Sequence, residues 1–197
     1  MGGRTRSKLI LWLVLALPAA AILHRYATDP GLWPGDLLRP TGEWSARLLI
    51  FALCLTPLCQ LLPRSRAIQW LVAHRRAFGV GAFAYALLHL LFYLLDMGAL
   101  DALLAELAAP GIWTAWVALL CLVPPALASN DAAVRRLGAA WKKVQRLAYP
   151  AALFTLAHWA LVHDSLAGAL IHFAPLAALQ SARLFRTFTT STQRSLT

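Results

Sequence analysis

Histidines are the residues of this chain whose type and position could do chemistry inside an apolar environment. Of the six histidines, His89, His158 and His172 lie well inside long apolar stretches, whereas His24 and His163 lie at the ends of such stretches. No Asp, Glu, Lys or Arg lies as deep. Ionisable side chains inside a membrane are costly and mark candidate functional sites. An imidazole can ligate a metal, relay a proton or hydrogen-bond a neighbouring helix.

The three deep histidines are predicted to lie at a similar depth. His89 follows Arg76 by thirteen residues, which is roughly 20 Å along a helix. His158 follows Leu147 by eleven residues, or roughly 16 Å, and His172 lies six residues inside its own stretch. Two imidazoles on facing helices can hold a haem iron from both sides. We therefore predict that His89 and His158 are the axial ligands of a haem, with His172 as the alternative ligand.

Aromatic neighbours agree with a haem pocket. Tyr85 and Tyr93 lie four residues on either side of His89 and so share its helix face, and Phe154 lies one turn before His158. We predict that these three side chains line the pocket. The competing hypothesis is that the histidines are packing or proton-relay groups, as in a non-redox transporter or an assembly scaffold.

The elements that must position these histidines are membrane helices. Hydrophobic residues make up 60% of the 197 residues and charged residues 13%, against about 25% charged in a soluble domain. Six apolar stretches approach the roughly 20 residues that span a bilayer. They are 9–23, 48–62, 78–95, 111–127, 147–162 and 166–184.

The predicted fold is all-α, an integral membrane bundle of about six transmembrane helices that forms one domain over residues 1–197, with a flexible tail at 185–197. The first stretch could also be a cleaved signal peptide, but its apolar run continues through Ile22 and Leu23, which favours a retained helix.

The charges orient the bundle. Fifteen of the 18 basic residues fall in the N-terminus, in alternate loops and in the tail, and seven of the eight acids fall in the other loops. Because cytoplasmic loops carry the excess of Lys and Arg, both termini are predicted to be cytoplasmic. The net charge of +10 therefore indicates orientation and contact with anionic membrane lipid, with no nucleic acid as partner.

Several short segments together resemble a known family. They are Arg75–Gly79, Ala82–His89, Tyr93, Thr41-Gly42, Thr56–Leu58 and Arg146–Tyr149. In these segments the chain resembles the haem-binding membrane subunit of the periplasmic methionine sulfoxide reductase system, the MsrQ (YedZ) family of the ferric-reductase-like transmembrane group. The resemblance covers residues 35–165.

The resemblance implies an electron-transfer subunit rather than a catalytic one, located in the bacterial inner membrane. The family takes electrons from the quinone pool, or from a flavin reductase, through haem b and FMN. It passes them to a periplasmic molybdopterin-containing methionine sulfoxide reductase catalytic subunit, forming a heterodimer that repairs oxidised envelope proteins.

The family's haem histidines match His89 and His158. A third family histidine matches Gln145, a poor iron ligand, which implies one haem per chain; the resemblance assigns no residue to FMN. A ferric or metalloreductase that uses the same haem is the alternative function.

Overall fold

The computed structural model describes residues 3–162 and 166–195, and these are helical throughout apart from short connections, with no strand among them. The helices are α1 (Gly3–Thr28), α2 (Leu38–Leu61), α3 (Arg66–Ala73), α4 (Arg75–Met97), α5 (Leu100–Glu106), α6 (Pro110–Leu127), α7 (Asp131–Leu137), α8 (Ala140–Gln145), α9 (Ala148–Val162) and α10 (Leu166–Ser195), with a 3-10 turn at Pro34–Leu37 before α2. The predicted all-α fold is confirmed.

Four of the helices are long and apolar enough to cross a membrane, namely α1, α2 with its preceding turn, α4 and α6. The chain is thus a multi-pass membrane protein. Helix α9 has 15 residues, and α10 has 30 with Pro175 inside it. The total of six spans and the side of the termini stay predictions. His163 lies outside the described residues.

Local sequence explains where several helices begin and end. Gly98 takes φ 66° directly after α4, the left-handed conformation in which helices commonly end and which glycine adopts without steric cost. The Asn130 side chain accepts the backbone N–H of Ala133 at 2.8 Å and so caps α7. Pro110 occupies the first turn of α6, where its missing N–H leaves no bond unmade.

Two antiparallel pairs, α2 with α4 and α6 with α9, form the body of the bundle. Helix α10 packs against α2 and α9, while α4 contacts α6 and α2 contacts α9, so the two pairs enclose a common centre. Leu55, Ala82 and Ala151 are fully buried there. Helix α1 lies at the edge, where it contacts α4. Its exposed leucines, such as Leu13 and Leu17, suit contact with lipid rather than water.

Helix α1 is attached to the bundle by Tyr85 of α4. The Tyr85 hydroxyl accepts the backbone N–H of Ala19 and donates to the carbonyl of Leu15, both at 2.9 Å. These two groups are four residues apart, the spacing of a helical hydrogen bond, so the hydroxyl bonds both ends of one turn of α1 next to Pro18. Tyr85 therefore holds the helix at its weakest turn.

Pro57 leaves a backbone carbonyl of α2 without its usual hydrogen bond. A proline has no N–H, so the carbonyl of Leu53, four residues earlier, loses its partner within the helix. The Gln180 side chain of α10 donates to that carbonyl at 3.4 Å. Membrane helices tolerate proline where neighbouring helices satisfy the freed backbone group. This contact ties α10 to α2.

Candidate functional site

His89 of α4 and His158 of α9 face each other at the centre of the bundle. Their ring centroids are 6.1 Å apart and the ring planes are inclined by 75°. The two helices belong to different antiparallel pairs, so the histidines meet where the pairs meet. The structure thus brings together the two histidines that the sequence predicts as haem ligands, and their role as ligands stays a prediction.

Both imidazoles are held through Nδ1 by a backbone carbonyl. Nδ1 of His89 lies 2.9 Å from the carbonyl oxygen of Leu38, and Nδ1 of His158 lies 2.7 Å from that of Gly111. Each carbonyl belongs to the first turn of the antiparallel partner helix, α2 for α4 and α6 for α9. A carbonyl only accepts, so this pairing assigns the proton to Nδ1 and the lone pair to Nε2, the form in which an imidazole ligates a metal through Nε2.

Small contacts refine the position of His89. The Thr41 hydroxyl donates to the carbonyl of Leu37 at 2.7 Å, and its oxygen lies 3.3 Å from Nδ1 of His89. Thr41 is fully buried. Gly42 is packed against the imidazole ring. Helix α2 thus supplies His89 with two hydrogen-bond acceptors and a close backbone surface.

A cavity of about 120 Å³ adjoins both histidines. Residues with small side chains form much of its wall, together with two tryptophans. The small residues are Gly42, Ser45, Ala46, Ala86, Ala115, Ala118 and Thr155, and the tryptophans are Trp116 and Trp159. The cavity is therefore lined mainly by small side chains and aromatic rings, with few polar groups.

The predicted pocket aromatics lie in three different places. Tyr93 lines the cavity, and its hydroxyl donates to Glu106 at 3.1 Å. Tyr85 instead holds α1 and stacks on Trp44. Phe154 packs edge-on against Trp113, with ring centroids 6.1 Å apart.

His172, the alternative ligand, stacks on the cavity residue Trp159 with ring centroids 4.7 Å apart. Its Nδ1 lies 2.8 Å from the carbonyl of Gly168, and its Nε2 lies 3.5 Å from Nη2 of Arg47. The structure therefore places His172 beside an arginine, one side chain removed from the cavity.

One charged group reaches the cavity wall. Glu43 lines the cavity and bridges Arg39 at 3.0 Å and Arg47 at 2.7 Å. The i, i+4 pair of Glu43 with Arg47 is visible from the sequence spacing. The three side chains leave one net positive charge at this end of the bundle.

The arrangement fits a haem by the chemistry of its donors. Two imidazoles supply two ligands, which suits an iron whose other four ligands come from a porphyrin. Gln145, which stands where the resemblance expects a third histidine, donates to the carbonyl of Pro125 at 3.0 Å, away from this site.

Sequence reasoning missed the residues that orient the histidines. The carbonyls of Leu38 and Gly111 have no side-chain signature. Thr41 and Gly42 contribute to the family resemblance, which assigns them no role. Glu43, Trp116 and Trp159 give no signal that would separate a cavity wall from an ordinary core.

The fold and the site together define a class: multi-pass helical membrane proteins with two histidines facing each other across the bundle. The family model described as "Ferric reductase like transmembrane component" matches residues 41–156. No solved structure matches the chain.

Several relatives carry the name protein-methionine-sulfoxide reductase heme-binding subunit MsrQ, and three of them illustrate the similarity. The one from Rhizobium meliloti is 36% identical over 158 residues, which covers 77% of this chain and 70% of the relative. The one from Caulobacter vibrioides is 35% identical over 161 residues, which covers 78% of this chain and 74% of the relative. The one from Azospira oryzae is 35% identical over 185 residues, which covers 90% of this chain and 78% of the relative. The chain therefore belongs to the ferric-reductase-like transmembrane family and, within it, to the MsrQ family.

Proposed function

We propose that this chain is the haem-carrying membrane subunit that delivers electrons to a periplasmic methionine sulfoxide reductase catalytic subunit, supporting repair of oxidised envelope proteins. The observation that carries the proposal is the approach of His89 and His158 across the cavity, with both Nδ1 atoms held by carbonyls. The names of the MsrQ relatives support the cofactor and the partner system.

The residues of the site would bind and orient a b-type haem. Nε2 of His89 and Nε2 of His158 would be its axial ligands, because the carbonyls of Leu38 and Gly111 keep the proton on Nδ1. Haem bound there supplies one-electron exchange between ferric and ferrous iron. Reduction of a sulfoxide to a thioether takes two electrons and two protons, so the subunit would deliver twice per repaired methionine.

The cavity volume has a consequence for loading. The space of about 120 Å³ is smaller than a porphyrin. Haem entry would therefore separate the α2–α4 pair from the α6–α9 pair. Small residues on both sides of the cavity would ease this movement, because they leave little side chain to displace.

The finer parts of the proposal rest on the family. We propose one haem b per chain, because an amide such as Gln145 is a poor iron ligand. FMN serves as a further cofactor, and the quinone pool or a flavin reductase serves as donor. The complex is a heterodimer with the molybdopterin-containing catalytic subunit at the outer face of the bacterial inner membrane.

A ferric or metalloreductase is the second candidate, favoured by the description of the matching family model. It would use the same histidines and reduce ferric ions in place of a protein partner. A transporter or scaffold with packing histidines would bind no haem.

The first experiment is an absorption spectrum of the purified protein with pyridine-haemochrome quantification. We expect a b-type spectrum that His89→Ala and His158→Ala each abolish and that His172→Ala retains. Normal haem content in both single variants would refute the ligand assignment and make His172 the next candidate. A parent protein without haem would favour the transporter or scaffold, and two haems per chain would refute the stoichiometry.

The second experiment separates the two redox functions. Reduced protein is mixed with the purified periplasmic catalytic subunit and a methionine sulfoxide substrate, or with a ferric chelate alone. Reoxidation that requires the catalytic subunit and its substrate supports the proposal. A haem that stays reduced with that subunit but is oxidised by the chelate supports the metalloreductase.

A further inference from the structure

A second and larger cavity, of about 940 Å³, lies at the opposite end of the bundle. Thr56 near the end of α2 and Arg75 at the start of α4 line it, whereas Leu38 begins α2 and His89 lies in the second half of α4. We call it the basic-end cavity. Its volume lies in the upper part of the range of about 300–1,000 Å³ that small-molecule sites occupy.

Positive charge dominates this cavity. The acidic residue that lines it is Asp131, and Arg76 binds that carboxylate at 2.6 Å. The cavity therefore has an excess of positive charge. Six basic side chains line it, namely Lys8, Arg75, Arg76, Lys142, Arg146 and Arg183.

Some of these cations are already engaged. Arg75 donates to the Thr56 hydroxyl at 3.1 Å, and Arg183 donates to the Tyr149 hydroxyl at 3.3 Å. Among the residues that the structure describes, no carboxylate forms a salt bridge with Lys142 or with Arg146. These two cations lie close in sequence, at α8 and just after it, and face a cavity with little negative charge.

The walls of the basic-end cavity are apolar and reach the membrane. Leu11 and Trp12 of α1 and Leu49 of α2 line it. Helix α1 is the edge helix, and only 6% of its most apolar window is buried. The cavity therefore borders the bilayer on one side, so a molecule could enter from lipid and keep an apolar part between the helices.

We propose that the basic-end cavity binds the phosphate head group of an anionic phospholipid. Lys142 and Arg146 contact the head group, and the wall formed by Leu11 and Trp12 contacts the start of an acyl chain. Basic pockets between membrane helices on the cytoplasmic side suit such head groups. A soluble phosphate compound shares the charge but gains nothing from the apolar wall, which favours the lipid.

The test uses the full chain purified in neutral detergent. Thermal unfolding is followed with short-chain phosphatidylglycerol, with the matching phosphatidylcholine, with inorganic phosphate and with FMN. We expect stabilisation by phosphatidylglycerol alone, with a rise in Tm of about 2–5 °C at saturation. Equal stabilisation by phosphatidylcholine, by inorganic phosphate or by FMN overturns the proposal, and FMN alone would make the cavity a flavin site.

Matched variants locate the effect. Lys142→Gln/Arg146→Gln should weaken the apparent affinity for phosphatidylglycerol roughly tenfold or more. Arg135→Gln/Arg136→Gln removes the same charge from the neighbouring helix α7 and should leave the affinity unchanged. Equal losses in both pairs overturn the proposal. If the first double variant does not fold, Lys142→Gln alone is compared with Arg135→Gln by native mass spectrometry of retained lipid, with the same expectation.

Discussion

Gly42 of α2 lies in direct contact with the imidazole of His89. A Cβ at position 42 would lie 3.2 Å from both Nδ1 and Cε1 of the ring, closer than ordinary van der Waals contact. The imidazole of His89 has little room to move away, because it also contacts the carbonyl of Leu38 at 2.9 Å and the hydroxyl of Thr41 at 3.3 Å. An added methyl group must therefore displace His89 or push α2 away from α4.

The first prediction follows from this contact. Gly42→Ala should lower haem content per protein, at a cost in stability of about 1–3 kcal/mol, the usual cost of overpacking. Gly79→Ala is the matched control, because a Cβ at position 79 in α4 meets nothing within 4 Å. The measurement is the pyridine haemochrome of both variants. Equal haem content in the two would contradict the role given to Gly42.

A second prediction concerns Thr41. Thr41→Val keeps the shape but removes the oxygen 3.3 Å from Nδ1 of His89. A weaker hydrogen bond to the Nδ1 proton makes the imidazole a poorer donor to ferric iron. The midpoint potential should rise by roughly 10–40 mV, equivalent to part of one hydrogen bond. Redox titration measures the potential. Thr41→Ser keeps the hydroxyl and should therefore have the parent potential. Thr28→Val, a matched control outside the site, should leave the potential unchanged.

A third prediction tests the contact between Gln180 and the carbonyl of Leu53. Gln180→Leu should destabilise the protein by about 0.6 kcal/mol, the average for hydrogen bonds between membrane helices. In a Pro57→Ala background the N–H at position 57 can bond that carbonyl, so the same substitution should cost less. Reversible unfolding in mixed micelles completes this double-mutant cycle. A cost that is unchanged by Pro57→Ala would show that Gln180 acts elsewhere.

A fourth prediction concerns acid. Arg76, hydrogen-bonded to Asp131 and carrying the opposite charge, holds the pKa of that carboxyl below its usual 3.8. Because the folded-state pKa is the lower one, the stabilisation is complete above the unfolded pKa and is lost as the pH falls through the folded value. Tm between about pH 6 and about pH 3 should therefore fall less steeply in Asp131→Asn than in the parent. The difference should be small and should shrink in high salt, since the pair is exposed. Identical slopes at low salt would contradict the linkage.

A fifth prediction concerns topology. A reporter fused after position 194 should read as cytoplasmic, and one inserted near Asp101 as periplasmic, because the basic loops alternate. The reverse pattern would overturn the charge argument. A periplasmic tail with an otherwise correct map would mean an odd number of spans.

The sequence was informative about helices and depth and uninformative about contacts between helices. Residue counts along α4 and α9 predict that His89 and His158 lie at a similar depth in the membrane. Such counts are informative because every α-helix rises by the same distance per residue. The directions in which the side chains of Tyr85 and Tyr93 point were harder to predict. Four residues exceed one turn by about 40°, so the two tyrosines deviate from His89 in opposite directions, one toward α1 and the other toward the cavity.

The groups that orient the histidines could not be predicted for a different reason. The carbonyls of Leu38 and Gly111 act through the backbone, which every residue shares. Their role depends on the stagger of α2 against α4 and of α6 against α9. That stagger is set by many packing contacts at once rather than by a motif. Similarly, Gln180 looks like a polar interruption of an apolar helix until Pro57 is known to lie beside it.

The contact between Gln180 and Leu53 also bears on how the chain is made. The two residues are 127 positions apart, and ribosomes add about 5–20 residues per second, so Gln180 is made roughly 6–25 s after Leu53. During that interval the carbonyl of Leu53 lacks the hydrogen bond that the Gln180 side chain donates in the folded protein. Helix α10, which is made long after α2, thus supplies the hydrogen bond that completes the backbone of α2. Nascent chains that stop before α10 should accordingly be prone to quality-control proteolysis.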